Sequence, residues 1–332
     1  MAKARRATKK KAAPPGRAKK RSTRKGAKKS AVSPKNVARQ IGGVVVLPLT
    51  ARAPAAVAFA PSTTALTPLV APTASLSAAP ATLGRILNCE PSLGGPSPQS
   101  AAQPTAAPPA SDYRSPGWPV GEQGFTGACV GFAVGDGLLR WYFRKTGQLA
   151  PQEGLSVRYF WMAAKEMDEY RRWPTTFVET EGTSIYTALK IATDFGCLKD
   201  IDLPVSGPLY QRSLNEFLAA ASLLKINQGA VQAVERNPVI WAEWIHKYGP
   251  LAARINVDGT FISGGNHGVL QTVNFAPSLA SAGHAVVLVG YQPAEDRFII
   301  RNSWGRQWGD DGFAYADAQY LMSIITETWG VY

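Results

Sequence analysis

The residues with the clearest chemical potential are a cysteine, a histidine and an asparagine spread over the second half of the chain. Cys129 lies in Gln123-Gly-Phe-Thr-Gly-Ala-Cys129-Val-Gly-Phe-Ala133, where a glycine-containing turn opens into an apolar helical pattern. A thiol at a helix N-terminus feels the positive end of the macrodipole, which favours thiolate, the nucleophilic form. Alone, such a cysteine reads as a buried, inert hydrophobe. The downstream residues reverse that default. His284 opens the β-branched run Gly283-His284-Ala-Val-Val-Leu-Val-Gly-Tyr291, and Asn302 follows Ile299-Ile-Arg301. Two strands joined by a short turn bring these side chains together. An asparagine oxygen can accept from one imidazole nitrogen, leaving the other to hold or return the cysteine's proton.

Helices are expected first along the globular part. The apolar pattern predicts them over 129–146, 156–170, 184–195, 213–224 and 238–247, with Thr183 or Ser184 as an N-cap and Gly196 as a stop. Strands follow at 251–257, 285–291, 297–301 and 312–316, with a turn over 292–296. Helices first and strands later predict an α+β fold of two lobes, helical at the N-terminal side and β-rich at the C-terminal side, with a cleft between them.

Gln-Gly-x-x-Gly-x-Cys, Gly-His-Ala-Val and Arg-Asn-Ser-Trp-Gly-x-x-Trp-Gly occur in that order, and together they resemble the papain-like cysteine peptidases. The resemblance extends over about 112–332 and implies the papain-like two-lobed fold, a peptide or protein substrate and no cofactor or metal. It also implies roles. Cys129 would attack the scissile carbonyl, and the resulting thioester acyl-enzyme would be hydrolysed. His284 would pair with the thiolate and protonate the leaving amine, while Asn302 orients it. Gln123 would donate its side-chain amide to the oxyanion. Gly182 and Thr183 would contact substrate backbone, with Gly283 also in the groove. Trp304 would shield the His–Asn bond, and Trp308 would line the leaving-group side. Three departures stand out: Val130 replaces the family's tryptophan, Thr126 removes a cysteine, and Thr183 replaces a glycine and is expected to narrow the groove. No helical, charge-rich inhibitory segment of the family kind is found in 41–111, so that stretch is expected to leave the cleft open.

Composition divides the 332 residues. The first 40 residues carry sixteen Lys or Arg and no acid, while the remainder has twenty basic against twenty-three acidic side chains. The formal charge of +13 therefore belongs to a basic arm, expected to be disordered. That arm reads either as a solvated tail or as a nonspecific polyanion contact; lacking aromatics, it would bind without sequence preference. Residues 41–111 are mostly Ala, Pro, Ser and Thr, with only Arg52, Arg85 and Glu90 charged, and are expected to be a linker. Cys89 is expected to be an exposed thiol in it, and Cys197 a packing residue. No transmembrane segment is expected. Three cysteines make no disulfide scaffold, which points to a reducing, cytoplasmic setting. Export by an atypical signal near 41–60 stands as an alternative. Two rival functions follow from these features: a catalytically silent peptide-binding relative, and a polyanion- or nucleic-acid-binding protein acting through its arm.

Overall fold

The computed structural model describes residues 87–98, 108–168, 181–207, 213–271 and 283–332. The basic arm and residues 41–86 lie outside the described residues, so the expectations for them are not addressed by the fold. In chain order, β1 (Cys89–Glu90) and β2 (Ser111–Asp112) precede one long helix. That helix is built from α1 (Cys129–Gly131), a π-helical stretch (Phe132–Leu139) and α2 (Arg140–Lys145). Next come α3 (Val157–Met167), β3 (Thr183–Ser184), α4 (Ile185–Asp194) and α5 (Leu214–Ala221). The β-rich part contains β4 (Val231–Val234), α6 (Pro238–Lys247), β5 (Leu251–Asn256), α7 (Gly259–Ser263), β6 (Val269–Leu270), β7 (Gly283–Gln292), β8 (Arg297–Arg301), β9 (Phe313–Asp317), α8 (Ala318–Ile324) and β10 (Ile325–Val331). The α+β class predicted from the sequence is the class observed, with the short strands β1–β3 set before and among the early helices and α6–α8 set among the later strands.

Local chemistry sets the helix starts. Ser156 Oγ accepts from Tyr159 N at 2.9 Å, and Ser184 Oγ from Thr187 N at 3.3 Å. Ser213 and Glu216 satisfy each other's backbone N–H groups in a capping box. Asn237 caps α6, with Pro238 supplying a first-turn residue that has no donor to lose.

The main sheet runs β4-β10-β5-β7-β8-β9-β6, and β2 pairs antiparallel with β7. Strand β7 is central and buried on both faces, which is why its residues are apolar without alternation. Ala285, Val287 and Val289 pack against the helical lobe, beside Cys129, Leu138 and Phe160. Val286 and Leu288 face the other way, toward Trp241, Phe298 and Tyr320. The long helix crosses this sheet closely. A Cβ on Gly137 would stand 2.5 Å from a methyl of Val287, so only a residue without a side chain fits there.

An ion pair ties the helix to the strand that leads to Asn302. Asp136 accepts from Arg140 at 2.6 Å on one oxygen and pairs with Arg301 through the other. Arg301 is 3% exposed and also donates to Pro119 O at 2.8 Å. Its guanidinium lies over the Trp118 ring, 4.7 Å from the centroid. Asp136→Ala strands a buried cation and is expected to cost about 3–5 kcal/mol in denaturant unfolding. A loss below about 1 kcal/mol, the range of exposed pairs, would show that the pair does not hold the lobes.

Candidate active site

The π-helical stretch begins just after Cys129, and the long helix as a whole puts that cysteine at its N-terminal end, fully buried. His284 stands at the second residue of β7 and Asn302 directly after β8, and both are buried. His284 Nε2 lies 2.8 Å from Asn302 Oδ1. The same oxygen accepts from Ser303 N at 2.8 Å, which fixes the amide orientation because a backbone N–H needs an acceptor there. Nε2 is therefore the donor, and Nδ1 is the nitrogen free for proton exchange. Nδ1 is buried and lacks a well-aligned hydrogen bond at rest.

Aromatic rings seal this bond. Trp304 lies 4.7 Å from the His284 ring at a 34° tilt. Phe261 from α7 meets Trp304 edge-on at 5.4 Å. Trp308 packs on Phe261 at 4.9 Å and donates its indole N–H to Phe261 O at 2.9 Å. Trp308 is thus buried in support of Trp304. Gln123 is held in one orientation: Ser303 Oγ donates to its Oε1 at 2.7 Å, and its Nε2 donates to Thr126 O at 2.9 Å. Gln123 N also donates to Ser303 O at 2.8 Å, stitching the glutamine turn to the Asn302 turn.

The structure overturns three expectations from the sequence. Cys89 is buried, at 2% exposure, and residues 87–96 form a strap that enters the cleft. Strand β1 pairs parallel with β3, with Cys89 opposite Thr183. Asn88 O lies 1.3 Å from where a Cβ of Gly182 would be, and Cys89 O lies 2.0 Å from the equivalent point on Gly283. Both glycines predicted to contact substrate backbone are occupied by the chain's own backbone. Arg254 Nε donates to Cys89 O at 2.9 Å. Ser92 donates to Glu327 through N at 3.2 Å and Oγ at 3.0 Å, and Tyr186 N donates to Ser92 Oγ at 3.2 Å. Gly95 then rests on the stacked rings of Tyr186 and Trp329. The physical reason is backbone pairing: a strap held by main-chain groups needs no helical or charge-rich sequence. Nor does Thr183 narrow the groove. Its hydroxyl donates to Asp168 at 2.6 Å, and its backbone pairs with the strap.

The strap changes the electrostatics. Cys129 is held well below the ordinary thiol range, first by a hydrogen bond from the Cys89 thiol, then by contact with His284 and its charge, and by the Ala285 N–H. Burial opposes this. Cys89 moves the other way, raised by burial and by the hydrogen bond and charge of Cys129. Cys197 is raised by burial alone and packs as predicted. Sequence reasoning missed Cys89, Arg254, Ser303 and Phe261. The one available signal was Arg85-Ile-Leu-Asn-Cys-Glu90, where charge and large apolar residues interrupt an otherwise small-residue stretch.

The profile described as "Papain family cysteine protease" matches residues 176–327. The chain is 26% identical to cathepsin F of Mus musculus over 213 residues, covering 63% of this chain and 42% of that protein. It is 29% identical to cathepsin J of Rattus norvegicus over 214 residues, 61% and 58% of the two chains. The chain carries a papain-like cysteine peptidase domain. It spans about half the length of these curated relatives. Xylellain, a cysteine protease from Xylella fastidiosa, shares its fold with a TM-score of 0.61 at 17% identity, covering 75% of this chain and 96% of that one. The ragweed pollen cysteine protease Amb a 11, in its proform, aligns with a TM-score of 0.52 at 17% identity over 68% and 66%.

A lowered Cys129 pKa means thiolate persists as pH falls below the free-thiol value, and reactivity is lost only on passing the lowered value. The rate of iodoacetamide alkylation of Cys129, slow because the strap covers it, should therefore hold its plateau to well below the ordinary thiol range. Cys89→Ala removes the leading cause and should move the midpoint of the rate–pH curve upward, whereas Cys89→Ser, which keeps a donor, should move it less. Coincident curves for wild type and Cys89→Ala would contradict this.

Proposed function

We propose that this protein hydrolyses peptide bonds through a thioester on Cys129. The observation that carries the reading is the buried 2.8 Å bond from His284 Nε2 to Asn302 Oδ1 beneath Trp304. It fixes the ring so that Nδ1 is the nitrogen that exchanges a proton with the lowered-pKa thiol of Cys129. Cys129 attacks the scissile carbonyl, Nδ1–H is delivered to the leaving amine, and a water activated by the same nitrogen cleaves the thioester. The Gln123 amide and the Cys129 N–H steady the oxyanion; a donor of this kind is worth about 2.7–4 kcal/mol in the transition state. Trp304 keeps water off the His284–Asn302 bond. Gly182, Thr183 and Gly283 take substrate backbone once the strap has left. The strap is an internal inhibitor, so its removal raises activity.

Residues 1–40 are a separate proposal, since no described residue bears on them. Their sixteen basic side chains without an acid favour nonspecific, salt-sensitive polyanion contact. A gel shift with random duplex DNA that is equal with and without residues 1–40 would exclude it. Among the described residues no helix is long and apolar enough to cross a membrane.

Hydrolysis of denatured casein under reducing conditions tests the main proposal. Full-length protein should cleave slowly, and protein trimmed to Asp112 faster by about tenfold or more, since only strap-free molecules are competent. Asn302→Ala should lose about 10²–10⁴-fold, the usual worth of positioned acid–base catalysis. Equal rates for trimmed wild type and trimmed Cys129→Ala would contradict the proposal.

A further inference from the structure

The cleft holds a second thiol that peptide hydrolysis does not use. Cys89 is fixed from three directions. Its backbone pairs with Thr183, its carbonyl accepts from Arg254, and that carbonyl lies against Gly283 where no side chain intervenes. The carbonyl is turned to Arg254 and to Gly283, the residue before His284, which puts Cys89 at the His284 end of β7. The side chains of Cys89 and Cys129 share one buried cluster, and each thiol shifts the other's proton affinity, while the Cys89 thiol points at Glu90 O, 3.7 Å away. Ser92, held by Glu327 and Tyr186, anchors the strap beyond β1, so Cys89 is held in the cluster that contains Cys129.

We propose that Cys89 and Cys129 are an oxidisable pair whose disulfide fastens the strap in the cleft and takes the nucleophile out of reaction. The silencing rests on the peptidase reading above; formation of the bond does not. With hydrogen peroxide as oxidant, the Cys129 thiolate attacks one peroxide oxygen, the O–O bond breaks, and hydroxide leaves to be protonated to water. Cys129 is now a sulfenic acid. The Cys89 sulfur then attacks the Cys129 sulfur, the S–O bond breaks, and the Cys89 proton leaves with the oxygen as a second water. Two thiols are oxidised by two electrons, and one peroxide is reduced to two waters. A dithiol reverses this by two exchange steps.

The two sulfurs are prepared for different parts. Cys129 is the thiolate that peroxide requires, and Cys89 remains a thiol at rest. Forming the neutral sulfenic acid removes the Cys129 charge that helps keep Cys89 protonated, so the second step is eased by the first. The strand pair β1–β3 spans only two residues, and pairing that short opens locally, which admits peroxide to the cleft. The covalent bond converts this transient cover into a lasting one until a reductant arrives.

The test uses the full chain. Protein treated with near-stoichiometric hydrogen peroxide is quenched with iodoacetamide and mapped by mass spectrometry without reduction. The expected result is a linked peptide joining Cys89 to Cys129, with Cys197 still alkylated. Labelling of Cys129 by the epoxide E-64 should fall by about tenfold or more, because a disulfide sulfur is no longer a thiolate, and should return after dithiothreitol. In Cys89→Ser, with peroxide raised to a several-fold excess, the Cys129 sulfenic acid has no thiol to meet. It should consume a second peroxide to become sulfinic acid, which dithiothreitol does not reverse, whereas wild type at the same excess should still give the linked peptide. Cys129 over-oxidised in wild type without a linked peptide would overturn the proposal. A linked peptide in a protein that E-64 never labels when reduced would uphold the pair and count against the peptidase reading.

Discussion

Everything in the cleft depends on holding one imidazole ring still. A neutral histidine can serve as base with either nitrogen, and only a fixed partner decides which one faces the thiol. Here the partner is Asn302 Oδ1, itself oriented by the Ser303 N–H. The bond is worth most where water is absent, so Trp304, Phe261 and Trp308 form a dry wall around it. The residues come from two lobes, which must therefore not slide. The Asp136–Arg301 pair supplies that constraint one residue before Asn302. The glutamine turn is stitched to the same loop through Ser303. Cys129, His284, Asn302 and Gln123 thus share one rigid frame.

The chain also carries a cover for this frame, and the cover is built from main-chain pairing and close backbone approach. Gly182 and Gly283 leave room for backbone to approach, and the strap fills that room with Asn88 and Cys89. A site that accepts extended backbone will accept any extended backbone, including its own. Cys89 adds a second thiol to the buried cluster that holds Cys129.

Much of this was legible in the sequence because the signals were local. Capping residues, apolar periodicity and β-branched runs placed the helices at 238–247 and the strands at 297–301 where they occur. The motif spacing brought out Cys129, His284, Asn302 and Gln123 together. Other features were not local. The π-helical stretch uses the same residue types as an α-helix, and its wider bonding leaves no periodic mark. Strand β10 alternates weakly and gains its place between β4 and β5 only through pairing. The strap was hidden most completely. Its bonds are main-chain bonds, and the partners of Ser92 and Arg254 lie far away in sequence. A stretch of small residues with one cysteine gives no hint of what it will cover.

The most direct measurement is active-site labelling of reduced protein with E-64, read by intact mass and then by peptide mapping. The account predicts a single adduct, on Cys129, faster in protein trimmed to Asp112 and absent from Cys129→Ala. Folded, trimmed, reduced protein that takes no adduct, or takes it on Cys89 or Cys197, would contradict the account at its centre.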